Sequence, residues 1–425
     1  MKKILSTTIL LGLTFLSLSS SAQSNKCASA QILEQRIAKD PSVLLRMAKL
    51  EEQTQNWIGS HAQSKKAQSI TKIPVVVHVL YKTATENIST NQIQSQIDIL
   101  NEDFRQLNPD SLIPSHPFWN FTADAGIEFC LATLDPYGNP TTGIIRTYTD
   151  SSYFSSDETN MKFTSTGGKN NWDPTKYLNI WVCNLTGLTL GFATFPSDLV
   201  SDPNQDGVVC RHQCFGNIGT AGTGGFTDNN GGRTMTHEVG HWLNLRHIWG
   251  DNQPSCGDDF VADTKPADHP NYGCETFPFH ASNPCGTNSN GEMYMNYMDY
   301  SDDNCLVMFT VGQANRMIAA LNGPRVGLLS SNGCTPVGIN EFNLQNNFNV
   351  YPNPSDGDFN IRFNNYTHGN ITINVVNLLG ATIKVINSAS VDMVNINLSE
   401  LDNGVYYLQI ISNKNTSTKK IFVIK

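Results

Sequence analysis

The amino-acid sequence predicts an α+β domain built around one chemistry-bearing helix, followed by a small all-β sandwich. Three features point to it. Residues 73–81, "IPVVVHVLY", form a β-branched run of the kind buried inside a sheet. The stretch "THEVGHWLNLRHIWGD" (236–251) sets two histidines and a glutamate at helical spacing, with a third histidine six residues on. Beyond residue 349 the chain alternates at period two, through Ile371, Ile373 and Val375 and then Val394, Ile396 and Leu398. At 425 residues the chain exceeds one compact domain, so two or three folded units plus processing segments are expected.

Residues 1–22 carry Lys2 and Lys3, an apolar stretch from Ile4 to Leu18, and small residues at Ser20 and Ala22. That order is a secretory signal peptide, cut after Ala22. Cys27 lacks the preceding apolar residue of a lipoprotein signal, and no other stretch is apolar enough to cross a bilayer. The mature chain is therefore expected to have no transmembrane segment. Export also means that the ten cysteines are partly paired. Charged residues make up 15% of the chain, against roughly 25% in average soluble proteins, and Asn, Ser and Thr take their place, which suits an extracellular surface. A net charge of −9 without a Lys/Arg block excludes nucleic acid as a partner.

Residues 23–66 are polar, with one amphipathic stretch around Leu33, Ile37 and Leu44 to Leu50, and they end at the dibasic Lys65–Lys66. They read as a removable pro-segment. Residues 67–335 form the principal domain. After the first strand, Ser89 and Gln92 make a capping box for a helix bearing Ile93, Ile97, Leu100 and Phe104. "GIEFCLATL" (126–134) and "YLNIWVCNL" (177–185) are further strands, and "LGFATFP" (190–196), closed by proline, is an edge strand. Residues 336–348 are a linker, and 349–425 form the sandwich.

On a helix, His237 and His241 lie four apart on one face, where both imidazoles meet one ion. Were the helix to continue, His247 would sit about 240° around and roughly 9 Å further along, beyond a shared ion with Zn–N bonds of about 2 Å. The helix must therefore stop between them. Asn244 is the residue that tolerates the required positive φ, bringing His247 back as third ligand. Three neutral protein ligands leave one position open for water, which marks a catalytic rather than a structural zinc. Glu238, beside the first ligand, is the base for that water, and the set specifies amide hydrolysis.

"HEVGHWLNLRH" resembles the extended zinc motif HExxHxxGxxH of the metzincin metallopeptidases, with Asn244 where the wider pattern has Gly. "RHIWGD" and "NYMDYSDDNC" resemble the pappalysin branch, over roughly residues 27 to 310. The resemblance implies a metzincin-like catalytic domain, with a twisted mixed sheet and an active-site helix. It implies one catalytic Zn2+, protein or peptide substrates, and the following roles. Met298 belongs to the turn under the zinc, and Tyr300 stabilises the tetrahedral intermediate. Asp303 lies at the floor of the S1′ pocket, hence cleavage before Arg or Lys. By composition alone Met298 reads as core, Tyr300 as a surface aromatic and Asp303 as part of a solvated acidic loop.

The resemblance also implies disulfides Cys256–Cys285 and Cys274–Cys305, calcium at Asp259 and Thr264, and Cys27 as a zinc ligand that keeps the zymogen silent. From the residues alone, "CGDDFVADTK" remains a solvated loop and Cys27 a bridged or unpaired thiol. "DPNQDG" (202–207) opens like an EF-hand loop but has Gln213 at position twelve, so it reads as a turn. "CRHQC" (210–214) falls short of a closed metal set and reads as a disulfide or unpaired thiols, with no pairing assigned to Cys130, Cys183, Cys210, Cys214 or Cys334. His78 reads as a core histidine.

The C-terminal pattern, from "NVYPNPSDGDFNI" to "TKKIFVIK", resembles the sorting domain of the type IX secretion system of the Bacteroidota. This implies a secreted or cell-surface protein exported through the periplasm, with the secretion machinery as partner. The alternative from another functional class is a catalytically inactive surface-binding protein on a peptidase scaffold. The intact Glu238 argues against it.

Overall fold

The computed structural model describes residues 26–61, 69–157, 159–251, 256–335, 348–363, 370–389, 393–412 and 415–425. The expected signal peptide, the Lys65–Lys66 cut and the linker up to residue 347 lie outside them. The chain divides into two compact units, Met1–Thr335 and Pro336–Lys425.

The first unit begins with two helices, α1 (Ser29–Lys39) and α2 (Ser42–Ser60), where the sequence promised one amphipathic stretch; Pro41 separates them. Next come β1 (Thr71–Tyr81), α3 (Thr90–Phe104), β2 (Ile127–Leu131), β3 (Ile144–Tyr148), β4 (Leu178–Cys183), β5 (Gly191–Ala193) and β6 (Val208–Arg211). They form one mixed six-stranded sheet in the order β2-β1-β4-β6-β5, with β3 also on β1. Every pairing is parallel except β5 with β6, so the edge strand runs against the rest.

Ile73 to Leu80 are all buried, because a central parallel strand is covered on both faces. Ile73, Val75, Val77 and Val79 enter the main core together with Ile93, Ile97 and Leu100 of α3. On the opposite face Leu80 packs with Trp181, Cys183 and Val209. His78 lies within this strand, its Nε2 3.0 Å from Asn179 Oδ1, and burial lowers its pKa to about 4. Strands β3 and β6, five and four residues long, were not legible: each offers too few alternating positions to stand out from a loop. At the start of α3 the Ser89 side chain accepts from Gln92 N.

The remaining elements are α4 (Arg233–Trp242), the short pair β7 (Ser282–Asn283) and β8 (Gly286–Thr287), and α5 (Val311–Leu321), which starts in a full capping box at Thr310 and Gln313. Disulfides join Cys256 to Cys285 and Cys274 to Cys305, and a third joins Cys130 on β2 to Cys334. Cys183, Cys210 and Cys214 are free, buried thiols, so "CRHQC" holds unpaired cysteines rather than a bridge. The "DPNQDG" segment does more than turn. Its Asp206 is fully buried and takes a bidentate pair from Arg325 (2.9 and 3.0 Å) and the indole N–H of Trp242 (2.9 Å). That network ties the end of α4 to the sheet.

The second unit contains β9 (Phe348–Tyr351), β10 (Asp358–Phe363), β11 (Asn370–Val376), β12 (Thr382–Ala389), β13 (Met393–Asn397), β14 (Gly404–Ser412) and β15 (Asn415–Val423). They make a three-stranded sheet, β13-β10-β9, and a four-stranded one, β12-β11-β14-β15, both antiparallel. Phe359, Ile361, Ile371, Ile373, Ile396 and Leu408 bury a core of their own. No helix among the described residues is long and apolar enough to cross a membrane.

Removing one partner of a buried ion pair strands the other. Asp206→Asn should therefore lower the stability of the first unit by about 3–5 kcal/mol, read by urea unfolding; a loss within experimental error would show that Arg325 finds water or another acceptor.

Candidate active site

All ten residues of α4 are buried, and the helix runs beneath β5 and β6. It stops in a Schellman geometry. Leu245 N donates to Gly240 O (2.9 Å), Asn244 N to His241 O (2.9 Å), and Asn244 itself has φ 76°. The chain reverses there and carries His247 back beside His237 and His241. The three Nε2 atoms form a triangle with every side 3.1 Å.

Each ring is oriented through its other nitrogen. His237 Nδ1 lies 2.8 Å from Tyr297 O and His241 Nδ1 2.8 Å from Leu245 O, while His247 Nδ1 pairs with Asp251. Those oxygens only accept, so each Nδ1 carries the proton and each Nε2 presents a lone pair to a shared volume. Burial drives the His237 pKa down to about 3 and that of His241 well below its ordinary value, so both rings are neutral. Tetrahedral zinc with Zn–N bonds of about 2 Å needs nitrogens roughly 3.3 Å apart, and the triangle fits.

Gly240 sits on the underside of the helix, where a Cβ would come within 2.5 Å of Met298 Sδ. The buried Met298 thus closes the floor against a glycine. Tyr300 is also buried; its ring meets His247 edge-on at 5.0 Å, and its hydroxyl donates to Cys27 O at 3.2 Å. The Trp249 ring stacks on His247 at 4.3 Å.

Glu238, one residue beyond the first ligand, lies under the edge strand, where Gly191 leaves room for its Cγ. Burial pushes its carboxyl up to about 8, against hydrogen bonds from Cys27 and Ser29 that lower it. Asp303 is buried and lines one cavity with His237, Glu238 and Tyr300. Its Oδ2 accepts from Gly231 N (2.9 Å) and Arg233 N (3.1 Å), so it also anchors the start of α4.

The N-terminal segment crosses this site. Leu190 N donates to Lys26 O (2.9 Å) and Ala28 N to Gly191 O (3.1 Å), a short parallel pairing with the edge strand. Cys27 Sγ and one nitrogen of each of the three histidines lie within 4.8 Å of one another. Ser29 Oγ donates to Glu238 Oε2 (2.9 Å) and accepts from Ala193 N (2.8 Å). Asp259 and Thr264 stand together, the hydroxyl donating to both carboxylate oxygens at 2.8 and 3.0 Å. Sequence reasoning missed Asp251 and Ser29. Asp251 was visible in "RHIWGD" four residues after His247, but its φ of 62° places it in a turn that spacing does not announce. Nothing local marks Ser29.

A model of the family described as pregnancy-associated plasma protein-A, the M43 peptidases, matches residues 162–322, which includes the whole triangle. The "Extracellular metalloprotease" of Arthroderma benhamiae is 30% identical over 275 residues, 64% of this chain and 85% of the relative. The chain belongs to the pappalysin family of zinc metallopeptidases. Among solved structures, a mutant of Tannerella forsythia promirolysin is 43% identical, with a TM-score of 0.65, over 72% of this chain and 97% of that one. Mature mirolysin in complex with a cleaved peptide is 47% identical, with a TM-score of 0.59, over 62% of this chain and 97% of that one. The protein is thus a zinc metalloendopeptidase acting on protein substrates. A secretion-system C-terminal sorting domain matches residues 349–425, which makes the peptidase a type IX export substrate that works outside the cytoplasm.

Asp251 orients His247 through its proton-bearing nitrogen. Asp251→Ala should weaken zinc binding about 10- to 100-fold, measured by competition with a chelator. Unchanged affinity would mean that stacking on Trp249 alone holds the ring.

Proposed function

We propose that this peptidase is made as a latent zymogen and, once its N-terminal segment is removed, cleaves peptide bonds before Arg or Lys. The observation that carries it is the position of Cys27, whose thiol faces the three Nε2 atoms while its backbone pairs with the edge strand. His237, His241 and His247 hold the zinc in this reading, and Cys27 takes the position that a water needs.

When bound, zinc lowers the pKa of a water at its open position and polarises the scissile carbonyl. The chain's own residues do the rest. Glu238 accepts the proton of the attacking water and passes it to the leaving amine. The Tyr300 hydroxyl, which donates here to the Cys27 carbonyl, donates in catalysis to the oxygen of the attacked carbonyl. Edge strand β5 offers its backbone to an extended substrate.

Asp303 supplies negative charge to the cavity beside the zinc, and Lys26 of the segment already lines that cavity, its Nζ 3.1 Å from Asp302. These contacts support a basic residue after the scissile bond. They also make Lys65–Lys66 an acceptable site for self-processing. The match to promirolysin extends over 72% of this chain and that to mature mirolysin over 62%, a difference of about forty residues, close to the length of segment 23–66. The domain limits in this reading are a signal peptide 1–22, a pro-segment 23–66, a peptidase domain 67–335, a linker 336–348 and a sorting domain 349–425. Asp259 and Thr264 are proposed calcium ligands, since the buried carboxylate has no cationic partner in contact with it among the described residues.

The mature protein should cleave an Arg-containing peptide on the amino side of the Arg. Chelation should abolish that cleavage, and Glu238→Ala should lower kcat by at least about 100-fold with zinc retained. A processed, zinc-loaded protein that cuts no peptide library would instead support the binding-protein reading. For latency, Cys27→Ala proenzyme should show activity before processing, whereas the wild-type proenzyme stays silent. Equal silence in both would sink the cysteine lock.

A further inference from the structure

Beyond the end of β5 lies Phe195, which is neither a zinc ligand nor part of the main core. It is buried, and its ring tilts against His241 at 5.3 Å between centroids. The Arg246 guanidinium lies 5.6 Å from the same ring centre. What buries Phe195 is the N-terminal segment. Leu33 of α1 and Val43 of α2 form a small cluster with it, separate from the main core, and Ile37 and Met47 pack partly against that cluster.

The order of contacts along the edge strand assigns this cluster a place in the cleft. Leu190 lines the cavity that holds Asp303, Gly191 pairs with Cys27 opposite the zinc ligands, and Ala193 donates to Ser29. Phe195 comes next, on the side away from the Asp303 cavity. A substrate that places its basic residue in that cavity lies along β5 with its preceding residues toward Phe195. At about 3.3 Å per extended residue, its second or third residue before the scissile bond reaches the ring.

We infer that Phe195 forms an apolar subsite for that upstream side chain, taking leucine-, valine- or methionine-sized groups, and that Leu33 and Val43 fill it in the latent chain. An aromatic ring beside a zinc ligand would be left wet when the segment departs, and covering it with an apolar side chain recovers that burial. The inference rests on the proposed reading that segment 23–66 leaves and that the Asp303 cavity takes the residue after the scissile bond.

The test uses the mature, zinc-loaded enzyme and two sets of peptides sharing one Arg cleavage site. One set carries Leu, the other Ser, at the second and third positions upstream. The expected result is at least about a tenfold higher kcat/KM for the Leu peptides. In Phe195→Ala that ratio should fall toward one, and in Phe195→Leu it should be largely kept. A wild-type ratio near one overturns the inference whether or not a variant folds. So does an undiminished ratio in a zinc-loaded Phe195→Ala enzyme. Cleavage of neither set by wild-type enzyme has a different signature, because it overturns the parent reading of a basic-residue peptidase along with the subsite.

Discussion

Three imidazole nitrogens facing one another at 3.1 Å, each with its lone pair pointed inward, repel unless a cation sits among them. The fold around them is arranged to hold that geometry in advance. Two backbone carbonyls and one carboxylate take the outward N–H of each ring, so no ring can turn away without losing a hydrogen bond. Two of the three ligands come from one helix, and the third needs the chain to reverse within three residues. The positive φ at Asn244 is where that reversal happens. Its carbonyl is in turn approached by the Arg316 guanidinium at 3.4 Å, so the turn is fastened to α5 from outside.

The same helix gathers the remaining constraints. Its start is anchored by Asp303 through two backbone amides, and its far end by Trp242 bonded to Asp206 and covered by Arg325. Its lower face needs Gly240 for Met298, while the edge strand above it has Gly191 over Glu238. In the middle, Thr236 donates to Asp103 (2.5 Å), which also accepts from Tyr297 (2.9 Å). A buried polar network of this kind tolerates little displacement, because each lost partner leaves a desolvated group behind. Precision at the zinc is therefore distributed over α3, α4, α5 and the loop before residue 310.

The N-terminal segment occupies the cleft over the three histidines. It pairs in parallel with β5, places a thiol against the ligands and a hydroxyl on Glu238, and lays two helices beyond the cleft. Glu51 of α2 grips Arg316 at 2.8 and 2.9 Å, and Asn244 Nδ2 reaches Thr54 at 3.4 Å. The segment is thus fastened to the turn that creates the third ligand as well as to the site itself. Its removal would free both at once.

Local patterning made much of this legible. The buried runs of β1 and β4, the half-buried strand β2, the proline-closed edge strand, the period-two sandwich and the spacing of His237, His241 and His247 are all consequences of periodicity or backbone conformation. Those properties are written residue by residue. Nothing local could show that Asp206, in a turn-like "DPNQDG", would be sealed under Trp242 and Arg325, or that Cys130 would bridge to Cys334 while Cys210 and Cys214 stayed apart. Nor could it place Ser29 on Glu238, or Leu33 and Val43 on Phe195. These depend on pairs from 36 to more than two hundred residues apart, and only packing decides which distant side chains share a desolvated space.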